Sequence, residues 1–185
     1  LFYGSDLIFV RGSAPNREEE FPNPSLDVQG TDQAIFLSAN KRVQKLTEGS
    51  APLLRGEVMY FINKGQVYEY DFTDKLARKL FTTRGQIGSL RLSPDENKLA
   101  FISHRRDHAF LGIYDINDQG ITYPDPTVDI DSDPVWSPEG NQIAVLRMPY
   151  DPRLMFVSRL AAQPFSIRLI NVEDGKSKTL WQAEE

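Results

Sequence analysis

Two histidines, three closely spaced aspartates and one Ser-containing turn are the residues whose types and spacing could do chemistry. His104 and His108 stand four apart in Ser103-His104-Arg105-Arg106-Asp107-His108. That spacing clamps a divalent metal when both rings project from one face of a helix. Here the segment lies between two apolar alternating runs, and Arg105 and Arg106 repel a cation, so it reads as a solvated hairpin loop. Ser103, His104 and Asp107 fall in the same stretch, but residues this close cannot set nucleophile, base and orienting carboxylate in line. Asp129, Asp131 and Asp133 alternate as in a calcium loop, which also needs Gly at its sixth position and Glu at its twelfth. Pro134 and Gly140 occupy those positions, so the three read as a charged strand leading into the last repeat. No Gly-rich phosphate loop or basic stripe is present. No catalytic residue, metal site or cofactor is expected from these groups.

The elements around them follow from composition and repetition. With 185 residues the chain can bury a substantial core. Lys plus Arg number 21 against 26 for Asp plus Glu, a net charge of −5 that argues against nucleic acid as a partner. No apolar run approaches the roughly 18 residues of a membrane span. The absence of cysteine excludes disulfides, thiolate metal sites and cysteine nucleophiles. The chain begins at Leu1 without a signal-type segment and ends at Trp181-Gln182-Ala183-Glu184-Glu185, and both ends read as cuts through a longer protein.

A repeat organises the sequence. Ser93-Pro94-Asp95-Glu96-Asn97-Lys98-Leu99-Ala100-Phe101-Ile102 recurs 44 residues later as Ser137-Pro138-Glu139-Gly140-Asn141-Gln142-Ile143-Ala144-Val145-Leu146. Each copy reads as a strand, a tight turn with Pro at its second position, and an apolar strand. Leu111 to Gly120 resembles Ile167 to Lys176, an alternating strand closed by a polar turn. Degenerate copies start near Val58 and Leu7, and each unit closes with a strand of mixed polarity. Four strands per unit at a spacing near 45 residues predict an all-β fold of propeller blades, about four of them, forming a partial ring in one domain over 1–185. The blades fall at roughly 1–48, 49–84, 85–128 and 129–185. Helical periodicity is confined to a short amphipathic turn at Arg153 to Ala162. A regular β-sandwich is the competing architecture.

Asp133-Pro134-Val135-Trp136-Ser137-Pro138-Glu139-Gly140-Asn141-Gln142-Ile143-Ala144 resembles the TolB-type propeller repeat, which also builds the N-terminal propeller of the prolyl-oligopeptidase and dipeptidyl-peptidase family of serine peptidases. Phe9 to Arg17 with Phe21-Pro22-Asn23-Pro24, and Ala162 to Ile167, resemble bacterial members of that family. The resemblance implies a parent serine peptidase whose catalytic α/β-hydrolase domain lies outside this chain. The family's Gly-x-Ser-x-Gly elbow is absent, and the nearest string, Gly175-Lys176-Ser177-Lys178-Thr179, lacks the second Gly and reads as a strand-to-strand turn. By the same resemblance the propeller would gate or shape peptide access and dock the hydrolase domain, in a periplasmic or secreted protein. Family members hold the substrate's free amino terminus with paired propeller glutamates. This implies a substrate-binding role for Arg11, Arg17, Glu18, Glu19 and Glu20, although the aromatic residues that precede the family's glutamates are replaced here by Pro15-Asn16. A TolB-like scaffold for protein partners in the cell envelope is the alternative.

Loop lengths point to the working face. The first-to-second and third-to-fourth strand turns are minimal throughout. The second-to-third connection is long in the first unit (Arg11 to Thr31) and the fourth (Met148 to Gln163). Long loops in compact domains are usually functional or disordered. Because consecutive strands alternate direction, both insertions are expected on one face of the disc. Phe21, Tyr150, Arg153, Phe156 and Arg159 are expected to form its contact surface. The end blades of a partial ring lack a neighbour, so self-association is expected.

Overall fold

The computed structural model describes residues 1–12, 33–150 and 164–183. All regular structure among them is β, and the chain divides into two compact units, Leu1–Thr82 and Thr83–Glu185. The predicted amphipathic turn at 153–162 lies outside the described residues.

In the first unit, β1 (Phe2–Tyr3), β2 (Asp6–Arg11), β3 (Ala34–Ala39) and β4 (Arg42–Glu48) pair in chain order as one antiparallel sheet. The strands β5 (Ser50–Arg55), β6 (Val58–Asn63), β7 (Gln66–Asp71) and β8 (Leu76–Phe81) form a second. The inner strands carry the apolar residues, and one face of each sheet packs on the other through Ile8, Ile35, Met59, Phe61 and Tyr70. Side chains alternate along a strand, so one sheet offers Ile8, Ile35 and Leu37 while the other answers with Met59, Phe61 and Tyr70. Full burial of each such side chain is worth roughly 1.5–3 kcal/mol. Tyr3 stacks on Phe72 with ring centroids 4.2 Å apart.

In the second unit, β9 (Gln86–Leu92), β10 (Lys98–His104), β11 (Ala109–Asp115) and β12 (Ile121–Thr122) form the third blade. The fourth is β13 (Ile130–Trp136), β14 (Gln142–Met148), β15 (Ser166–Asn171) and β16 (Ser177–Gln182). A single parallel bridge, Ala109 to Ile130, joins the two. Their shared core holds Ala100, Ile102, Ala109, Leu111 and Ile113 against Ile143, Val145 and Ile170. The Trp136 indole N–H donates to the Arg91 carbonyl at 3.2 Å, tying the first strand of one blade to the first of the other.

The sequence repeat is a repeat of hydrogen bonds. Ser93 and Ser137 each close a turn in which the amide three residues on donates to the Ser carbonyl, at 2.9 and 3.0 Å. Each hydroxyl then accepts the amide of Lys98 or Gln142, at 2.9 and 3.2 Å. The carbonyls of Asn97 and Asn141 accept the amides of Ile116 and Val172, which follow the third strand. In the second blade, where the Ser-Pro turn is eroded, the Glu57 carbonyl accepts the Phe72 amide in the same way. Gly140 sits at φ 72° and its counterpart Glu96 at φ 59°. The left-handed region costs a non-Gly residue about 1–2 kcal/mol, offset in part by the flexibility Gly has in the unfolded chain. Glu96→Gly is therefore expected to stabilise the second unit by about 0.5–1 kcal/mol, measured by denaturant titration. A loss of stability would refute this account of the turn.

Asx turns close the third strands. Asp71 Oδ1 accepts the Thr73 amide at 2.7 Å, Asp115 Oδ1 those of Asn117 and Asp118 at 3.0 Å, and Asn171 Oδ1 those of Glu173 and Asp174 at 2.9 and 3.2 Å. The donated amides hold the Asp71 and Asp115 carboxyls below their ordinary 3.8. A depressed carboxylate contributes stability that is present above its unfolded value and lost as pH falls through its folded value. The melting temperature should thus fall as pH drops below about 4. Asp115→Asn keeps an acceptor for the two amides, as Asn171 does natively, but gives up the charge and its ion pair with Lys98, 3.3 Å away, so it should be somewhat less stable than the parent near neutrality and should flatten that acid decline. An unchanged acid limb in this variant would count against the assignment.

Candidate functional site

The strand order brings the long connections to the same place in two blades, between β2 and β3 in the first and between β14 and β15 in the fourth. The second and third blades have short turns there, Lys64 to Gly65 and Arg105 to His108. Residues 13–32 and 151–163, and with them Arg17, Glu18, Glu19, Glu20, Phe21, Arg153, Phe156 and Arg159, lie outside the described residues. So does the expectation that the two insertions share a face.

Two candidates are described. Arg11 is the last residue of β2, opposite Ala34, and is exposed. Tyr150 follows β14 with 39% of its surface exposed, and its amide lies 3.3 Å from Asp129 Oδ1.

The histidine turn is engaged with itself. The Arg105 amide donates to the His108 carbonyl at 2.7 Å, closing the hairpin. The His108 ring stacks on Phe110 and its Nδ1 lies 2.7 Å from Asp107 Oδ1, while the Arg105 guanidinium lies 5.4 Å from the Phe110 ring centre. Ser103 and His104 are successive on β10 and point to opposite faces, Ser103 buried and His104 exposed. Ser177 opens β16 and pairs opposite Ile170, so the Gly175 to Thr179 string is a turn running into an outer strand.

The three aspartates stand in three different settings. The Asp129 carbonyl accepts the Ala109 amide at 3.0 Å, and its carboxylate accepts Tyr150. Asp133 lies in a bulge between Ser132 and Val135, at φ 49°. Asp131 is fully buried and meets Arg147 in a forked pair, Nε to Oδ1 at 2.6 Å and Nη2 to Oδ2 at 3.0 Å. Arg147 Nη1 also lies 3.0 Å from Asp125 Oδ2, and its Nη2 lies 3.3 Å from the Asp125 carbonyl. The Leu111 amide donates to the Asp131 carboxyl as well. Burial pushes that carboxyl up, and the Arg147 bonds only partly pull it back. Burial would lower Arg147, but its bonds to Asp131 hold it above its ordinary value. With its donors so engaged, Arg147 is a clamp on the link between the third and fourth blades. Neither the pair nor its burial was foreseen. The available signal was parity: Arg147 falls on the same alternation as Ile143 and Val145, whose side chains enter the core.

Among the described residues, the outer edge of β11 beside the Leu111 amide has no strand partner. The strand β12 covers only Ile113 and Tyr114, β13 touches β11 at Ala109 alone, and the Asp131 carboxylate fills the gap between.

No family model matches the chain, and neither does any curated protein. Solved structures do. A puromycin-hydrolyzing peptidase of Mycobacterium tuberculosis superimposes over 98% of this chain and 31% of its own, at 14% identity and a TM-score of 0.65. TolB of Acinetobacter baumannii superimposes over 83% of this chain and 39% of its own, at 17% identity and 0.58. The β-propeller domain of the Trilobed protease of Pyrococcus furiosus does so over 81% and 48%, at 15% identity and 0.57. The chain thus spans less than half the length of each. At these identities the likeness carries the fold, and the fold is that of a partial β-propeller.

Proposed function

We propose that this chain is the non-catalytic propeller portion of a serine peptidase, shaping peptide access to an α/β-hydrolase domain of the same parent. The observation that carries this reading is the superposition of nearly the whole chain on a peptidase. It is supported by the two long connections at one blade position. In this reading Arg11, Arg17 and Glu18 to Glu20 meet the peptide's amino end. Two or more carboxylates in a partly dry cleft hold an ammonium and fix the register of the peptide. Phe21, Tyr150, Arg153, Phe156 and Arg159 then face the hydrolase domain, and the parent is periplasmic or secreted. The likeness to TolB favours a second reading, a scaffold for protein partners with no hydrolase.

A fluorophosphonate probe separates the two. The isolated chain should not be labelled, since nucleophilic catalysis needs a serine beside a base. The full-length gene product, captured from its host by antibody to this chain, should be labelled. An unlabelled full-length product would overturn the peptidase reading. Where labelling is seen, reversing the charges of Glu18 to Glu20 should raise KM for free-amine peptides and leave N-blocked ones unchanged.

A further inference from the structure

The turn from Arg105 to His108 in the third blade holds two arginines and one carboxylate, and that carboxylate is engaged elsewhere. Asp107 Oδ1 lies 2.7 Å from His108 Nδ1. Among the described residues no carboxylate pairs with Arg105 or Arg106. Arg106 is exposed. Arg84, also exposed, stands at the same end of the blade, because the next residue, Gly85, packs on the His104 backbone. A Cβ at Gly85 would meet the His104 carbonyl oxygen at 2.4 Å. In a chain of net charge −5 this corner is therefore cationic.

Arg105 is fixed from the core outward. Its amide closes the turn on the His108 carbonyl at 2.7 Å. Its guanidinium carbon lies 5.4 Å from the centre of the Phe110 ring, a cation–π contact. Phe110 is fixed in turn. The His108 ring stacks on it at 5.5 Å, Tyr123 meets it edge-on at 5.2 Å, and Tyr123 also meets Phe101 edge-on at 6.2 Å. Phe101 is fully buried. The Arg105 Nε is buried without a hydrogen-bond partner, which leaves the two terminal nitrogens to face outward. A guanidinium held over a ring in this way is already oriented, and its fork matches the two oxygens of a carboxylate.

We infer that the Arg105–Arg106 turn is a carboxylate-binding site whose ligand is a peptide, held by an acidic side chain or by its free carboxyl terminus. The terminal nitrogens of Arg105 donate to the two carboxylate oxygens, and Arg106 adds a second positive charge beside them. The arginines that bar a metal from the two histidines are the groups that draw an anion. A single carboxylate suits the corner, whereas a polyanion would be repelled by the chain as a whole. That the peptide is a substrate rests on the peptidase reading; the binding itself does not.

Fluorescence anisotropy on the 185-residue chain tests this with a dansyl-labelled peptide of alanine and glycine that ends in two glutamates. The peptide should bind at low salt and bind several-fold more weakly as sodium chloride rises from about 50 to about 500 mM. Arg105→Ala should weaken binding at least about tenfold, the cost of losing one charge-assisted contact. Arg105→Lys should recover little of that loss, since an ammonium makes no fork. Loss of binding on amidating the terminus alone would assign the terminal carboxylate, and loss on replacing the glutamates by glutamine alone would assign the side chains; either supports the inference. No binding by the parent overturns it. So does equal binding of the peptide that is both amidated and glutamine-substituted, or an Arg105→Ala chain, folded by circular dichroism, that binds like the parent. Should Arg105→Ala not fold, Arg105→Lys carries the test, and parental affinity in that variant overturns the forked contact. The isolated chain is read without any hydrolase, so this result stands or falls separately from the fluorophosphonate labelling.

Discussion

Replacing Arg147 by alanine is expected to cost about 3–5 kcal/mol of stability, the range found when one partner of a buried ion pair is removed. The loss comes less from the attraction given up than from what is left behind. Asp131 is fully buried and would keep only the Leu111 amide, with the Asp125 carboxylate close to the vacated guanidinium. Burial already raises the Asp131 carboxyl with Arg147 in place, and without it the carboxyl should rise further and bind a proton. A group raised in the folded state gives stability that is complete below its unfolded value and lost as pH rises through its folded value. The deficit of the variant should therefore narrow in acid and widen toward neutrality. The double variant Arg147→Met with Asp131→Leu should recover most of the loss. Denaturant titrations at several pH values read both effects. A variant within 1 kcal/mol of the parent at neutral pH would show that the pair holds nothing in place.

Gly112→Ala should be the next most damaging change. Gly112 pairs directly opposite Phe101 on β10, and the Phe101 ring, itself fully buried, lies across it. A Cβ at position 112 would stand 2.3 Å from the ring. Neither the ring nor the two central strands can withdraw without breaking packing, so a cost of about 1–3 kcal/mol is expected for the added methyl group. The test is a double-mutant cycle. In a Phe101→Ala background, itself destabilised by roughly 3–5 kcal/mol, the same methyl group should cost little and could fill part of the space left. Equal costs in the two backgrounds would place the strain elsewhere.

What could be read from the sequence was what is local. Ser-Pro turns, the Asx residues that close the third strands, and the continuous apolar runs Leu99 to Ile102 and Ile143 to Leu146 are settled within a few residues, so they stand in the letters and give the all-β blade architecture. The Asp131–Arg147 pair joins residues 16 apart across a hairpin whose register shifts at Asp133 and Pro134. A shift of one residue reverses which side chains share a face, and no local signal sets it. The third blade's outer strand spans only Ile121–Thr122, ending before the Pro124-Asp125-Pro126 segment. Proline supplies no ladder amide, and a carboxylate from the next strand occupies the edge instead. Of the candidate site, Arg11 ends β2 and Tyr150 lies two residues past the end of β14. The remaining residues were chosen by loop length and resemblance, which say where an insertion leaves a sheet and nothing about its course.

The bond that ties each first turn to the end of the third strand in the second, third and fourth blades is accepted by a main-chain carbonyl, that of Glu57, Asn97 or Asn141. A carbonyl is the same chemical group whichever residue carries it. Substitution at such a position alters the surface without touching the connection, so the blades of one chain can diverge from each other while their wiring is inherited unchanged. Such wiring keeps no record of ancestry in the amino-acid alphabet. Descent in a fold of this kind is better traced through the geometry of its turns than through the letters at them.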